Sequence, residues 1–212
     1  MQYLYKNPLL SSAYLPPVEY FFAIANAPCA TIDHSEKYQK QSYRTRCRIA
    51  TANGMEELQV PVCHDHLYDF PISAVKIDYS TDWVHRHATA MISAYRNSPF
   101  FEYYWDDIYA ILQSKPEFLV ELNQLLLTKL LELFHVERPI KSTTEYVKSA
   151  PEDFRALISP KRKEAGLLEI NNAEKTYYQV FSARNGFIPN LSAVDLLFNE
   201  GPQATDFLYL ES

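Results

Sequence analysis

A chain of 212 residues with 47% hydrophobic side chains can bury a substantial core, which excludes a disordered polymer and suits a single domain over 1–212. A formal charge of −6 argues against general nucleic-acid binding, which needs a basic surface. The 4 glycines form neither GxGxxG nor GxxxxGK[ST], so no Gly-rich phosphate loop is present.

Taken in chain order, residues 9–14 (LLSSAY) read as a short buried strand. Pro16-Pro17 then starts a helix from about Pro17 to Ala27, because proline is tolerated where the N–H it lacks has no partner. Cys29 to Asp33 reads as a second strand. Arg48–Thr51 and Glu57–Val62 flank Asn53-Gly54, a hairpin signal since both turn residues accept positive φ. Val75 to Tyr79 alternates apolar and polar residues, as a further strand does.

Helices follow. Ser80 or Thr81 is positioned to cap one from Asp82 to about Tyr95, and Ser98-Pro99 opens another to about Gln113. From Phe118 to Phe134 apolar residues recur at spacings of three and four, the mark of an amphipathic helix. Residues 140–166 are polar and Pro-punctuated and read as a surface excursion. Tyr177 to Phe181 reads as a late strand, and Ala193 to Asn199 as a helix capped by Ser192 or Asn190 and stopped by Gly201. The fold expected is α/β: a mixed sheet with N-terminal strands and hairpin packed against a helical C-terminal half. A mostly helical domain with a small sheet is the alternative.

Three cysteines without a CxxC pair fit reduced thiols, read as buried or inert, in a cytoplasmic protein. The first ten residues lack the parts of a signal peptide, and no apolar run reaches the ~18–20 residues that span a bilayer.

The local cation cluster stands out against the acidic background. Lys37, Lys40, Arg44, Arg46 and Arg48 lie close together. If 44–48 is extended, Arg44, Arg46 and Arg48 share one face, and their forks suit a diphosphate or carboxylate. The competing reading is ion pairing with the chain's own carboxylates. Trp83 and His87 stand one helical turn apart, with Met91 and Tyr95 continuing the face. His87 is a candidate general base beside a Trp83 ring platform, or else an interior imidazole. His64-Asp65-His66 and His85-Arg86-His87 resemble metal pairs, but no second pair at ligand spacing supports a site, so no metal and no cofactor is expected.

Several blocks together resemble the WbqC-like protein family: AYLPPVEYF (13–21), YQKQSYRTRCRI (38–49) with the NG turn and LQVPV, DYSTDW (78–83) with His87, AYRNSPFFEYY (94–104) and FIPNLSAVDLLFNEGP (187–202). The likeness is to the branch found in Bacteroidetes-type bacteria. The matching blocks include Arg46, Asn53, Trp83, His87 and Tyr95. Many members carry His-Gln-Pro before the YLP motif; here that stretch is Leu10-Ser11-Ser12-Ala13, so the imidazole is missing. The resemblance implies a role in O-antigen-like surface-polysaccharide biosynthesis. One reading is a transferase acting on an activated sugar or an acyl or aminoacyl donor, with Arg44, Arg46, Arg48, Asn53, Trp83 and Tyr95 binding a nucleotide sugar or similar anion and His87 as base. The other is a non-catalytic binding or assembly protein of the same pathway.

Overall fold

The computed structural model describes residues 3–63 and 70–210. β1 (Leu9–Ser11) leads through Pro16-Pro17 into α1 (Val18–Ala25), whose eight residues are all buried. A helix without a polar face is held by its surroundings rather than by amphipathicity. β2 (Ala30–Asp33) returns parallel to β1, with Leu9 opposite Thr31 and Ser11 opposite Asp33. The hairpin follows: β3 (Arg46–Thr51) pairs antiparallel with β4 (Gly54–Gln59). Gly54 has φ +100, which the tight turn requires and an L side chain resists.

α2 (Trp83–Tyr95), α3 (Phe101–Gln113) and α4 (Leu119–Leu133) form the helical half. After them β5 (Ile140–Ser142) adds to the other side of β2, giving a parallel sheet ordered β1-β2-β5. Parallel neighbours need long crossovers, and α1 and the α2–α4 block supply them. The chain ends with α5 (Leu167–Ile170), α6 (Ser182–Asn185), α7 (Ala193–Glu200) and a 3-10 turn over Gly201–Leu208. Gly201 stops α7 at φ +56, and a Cβ there would meet the Phe100 ring at 2.5 Å. The core joins α1, α7 and the apolar faces of α2–α4, with Tyr14, Phe21, Trp83, Tyr95, Phe134 and Phe198 fully buried.

The chain is therefore α/β, with the strands divided between a parallel sheet and a separate hairpin. Several elements differ from expectation. Val75–Tyr79 forms no strand but two isolated bridges, Lys76 to Phe118 and Ile77 to Val62, because its neighbours are loops rather than a free sheet edge. Tyr177–Phe181 is not a strand either; its polar groups bond to α7 and the following loop. The 140–166 excursion contains β5, a strand too short and polar to show alternation. Ser192 stands at the N-cap position of α7, but its hydroxyl donates to the Leu15 carbonyl at 2.8 Å rather than bonding to the helix. Cys47 is buried, whereas Cys63 is exposed and Cys29 partly so, so burial applies to one of the three thiols.

Candidate functional site

The carboxyl ends of parallel strands are where open α/β sheets place ligands. Here three strands end side by side at Ser11, Asp33 and Ser142, and a polar network covers them. Arg44 donates to Ser11 Oγ at 2.9 Å and makes a two-point pair with Glu36, through Nε at 2.9 Å and through Nη2. Both partners are almost wholly buried. Burial raises the Glu36 carboxyl above its ordinary value, and Arg44 opposes that rise. Beside it Asp33 is 0% exposed and accepts from Thr143 Oγ1 at 2.7 Å and the Ser35 amide at 3.0 Å. Arg155 bridges Asp33 and Asp153, and its hydrogen bonds hold Asp153 below the usual carboxylate value.

A cleft of about 1020 Å³ opens over this network. Glu36, Lys37, Glu145, Asp153 and Arg155 supply its charges. Tyr146, 62% exposed, lies on its wall, with the Arg155 guanidinium 6.0 Å from its ring centre. Of the residues singled out from sequence, only Lys37 lines this cleft directly, while Arg44 lies beneath it.

The three arginines do not share one face. β3 begins at Arg46, so Arg44 precedes the strand and turns inward to Glu36. Arg46 and Arg48 do lie together, both paired with Glu57 on β4 at 3.0 and 3.1 Å. Register puts Glu57 opposite Arg48, so the hairpin supplies its own counter-ion. Asn53 is exposed at the hairpin turn and lines a separate groove of about 580 Å³ with His85, Arg86 and Phe181.

Trp83 and His87 are brought together with Tyr14 in the interior, while Tyr95, buried at the other end of α2, packs on Phe198. Trp83 is 1% exposed and stacks on Tyr79 with centroids 5.8 Å apart. The Tyr95 hydroxyl accepts from the Ala50 amide at 3.1 Å. His87 is 5% exposed, with Nδ1 2.8 Å from the Tyr14 hydroxyl and Nε2 3.2 Å from the Gln59 carbonyl. A carbonyl only accepts, so Nε2 carries the proton and Nδ1 accepts from Tyr14. Burial lowers the imidazole pKa to about 4. An NMR titration is expected to show His87 as the neutral Nε2–H tautomer at neutral pH, titrating near 4; a midpoint above 6 would mean the ring reaches solvent.

Among the described residues no group of three His, Cys, Asp or Glu side chains is placed to hold a metal ion, and His64 and His66 lie outside them. No helix among the described residues is long and apolar enough to cross a membrane. Asp33, Glu36, Tyr146, Asp153 and Arg155 were not among the candidates. An acidic residue closing a strand, as Asp33 does, was the one available signal. Its partner Arg155 is 122 positions away and carries none.

The model of the WbqC-like protein family matches residues 11–166, the segment that runs from the last residue of β1 through β5 and holds this cleft. The chain belongs to the WbqC-like protein family. Among curated proteins it is similar to the uncharacterized protein Rv1507c of Mycobacterium tuberculosis, 26% identical over 230 residues that cover 96% of this chain and 97% of the relative. No solved structure matches. The FIPNLSAVDLLFNEGP block lies beyond the family match, although the mycobacterial alignment covers nearly the whole of both chains.

Proposed function

We propose that this WbqC-like protein handles carbohydrate in surface-polysaccharide assembly, holding the sugar of its ligand in the carboxyl-end cleft as a binding protein. The observation that carries the reading is the composition of that cleft. Carboxylates at Glu145 and Asp153 accept from vicinal hydroxyls, Arg155 and Lys37 donate, and the Tyr146 ring offers a flat apolar wall, over a floor that the buried Arg44–Glu36 pair closes. Two acidic groups balanced by two basic ones suit a polyhydroxylated ring better than a bare diphosphate. The pathway assignment rests on the family resemblance.

A transferase acting on an activated sugar or on an acyl or aminoacyl donor is the second reading. It is favoured by exposed Lys37 at the cleft, a cation able to meet a donor phosphate. His87 is a poor base for that reaction, since both ring nitrogens are engaged by protein.

Thermal-shift and NMR titrations with neutral sugars, nucleotide sugars and acyl-CoA test the proposal. Saturable binding of the sugar-containing ligands is expected. Tyr146→Ala, at an exposed site, should weaken it about tenfold, equivalent to about 1.4 kcal/mol, and Arg46→Ala should leave it unchanged. Binding lost in Arg46→Ala but kept in Tyr146→Ala would move the site to the hairpin. Binding of acyl-CoA alone, or of no ligand, would reject the sugar reading.

A further inference from the structure

We propose a second ligand site, separate from the carboxyl-end cleft, that takes an organic ammonium cation: a cavity of about 280 Å³ walled by Tyr177, Phe187 and Phe207. It shares no lining residue with the cleft. The Phe187 and Phe207 rings stand nearly perpendicular to Tyr177, at 86° and 75°, with centroids 5.1 and 5.8 Å away. Rings set nearly at right angles around one cavity are the arrangement whose negative π faces attract a cation between them.

This arrangement is held in place by hydrogen bonds. The Tyr177 hydroxyl donates to Asp195 Oδ2 at 2.6 Å, and Asp195 is wholly buried in α7. Lys175 Nζ donates to the carbonyls of Asp206 and Tyr209 at 3.0 and 3.1 Å, which ties the 3-10 turn carrying Phe207 to the segment carrying Tyr177. The charge around the rings is negative on balance. Glu174 lines the cavity, Asp195 lies behind Tyr177, and Glu200 accepts from the Tyr178 amide. Among the described residues of the lining Lys175 is the one cation, and two carbonyl dipoles face its charge. A neutral apolar group would gain the same walls but nothing from these carboxylates. The site therefore discriminates by charge, and it suits a quaternary or alkylated ammonium of a few carbons.

The test compares choline with its uncharged carbon isostere, 3,3-dimethylbutan-1-ol, by NMR titration of the full chain. Choline is expected to bind at least about tenfold more tightly. Phe187→Leu keeps apolar bulk while removing a ring, and should weaken choline binding severalfold without unfolding the protein. Glu174→Gln should weaken choline and leave the isostere unchanged. Equal or tighter binding of the isostere would overturn the proposal in favour of a plain apolar pocket. Choline binding unaffected by Phe187→Leu, or no binding of either probe, would also overturn it.

Discussion

Arg44→Ala is expected to lower folding stability by about 3–5 kcal/mol, a large part of what a domain of this size holds. The guanidinium is almost wholly buried, and besides Ser11 its partner is the equally buried Glu36. Removing it leaves a carboxylate in a low-dielectric interior with, among the described residues, only the Ser11 hydroxyl at 3.3 Å. Burial would then raise the carboxyl's pKa without Arg44 to oppose it, so the loss should ease as pH falls. Urea denaturation of the variant at about pH 7 and about pH 5 measures this. The double variant Arg44→Met with Glu36→Gln removes both charges and should recover much of the loss, because isolated burial of the charge is the main cost. A single variant as stable as the parent would show that water reaches Glu36, and that the network under the cleft is not a closed interior pair.

The second large effect lies at Asp195. Burial raises its carboxyl pKa from 3.8 to about 6, and hydrogen bonds from Tyr177 and Gln179 only partly restrain the rise. Between these two values the folded state therefore holds a proton there that the unfolded chain has released. Stability from this group is complete below 3.8 and is lost as pH climbs through about 6. The gap corresponds to roughly 3 kcal/mol at neutral pH. Asp195→Asn keeps an acceptor for Tyr177 and cannot ionise. It should match the parent near pH 4 and exceed it by up to that amount near pH 7.5. His87 acts in the opposite direction, losing stability as pH falls from 6.5 to about 4, but it is common to both proteins and cancels in their difference. Parallel denaturation curves at the two pH values read the effect. A constant difference between parent and variant would mean that Asp195 stays ionised throughout.

Much of the architecture is written locally. Pro16-Pro17, Asn53-Gly54, the three-and-four spacing of 118–134 and Gly201 each act over a few residues through backbone geometry, and each marks the element found there. Val75–Tyr79 shows the limit of such signals, since alternation gives a strand only where a partner edge is free. β5 shows the converse, for three residues with little apolar character become a strand because β2 offers its open edge.

The site divides in the same way. The family blocks, the hairpin and the position of every cation can be read along the chain. What those cations face cannot. Arg44 meets Glu36 because β3 starts two residues later, and Arg155 meets Asp33 across 122 positions because β5 closes the sheet beside β2. Strand and helix signals are short-range, arising from torsional and side-chain preferences within a turn or two. Charge pairing and burial depend on which distant segments pack together, and only the tertiary structure decides that.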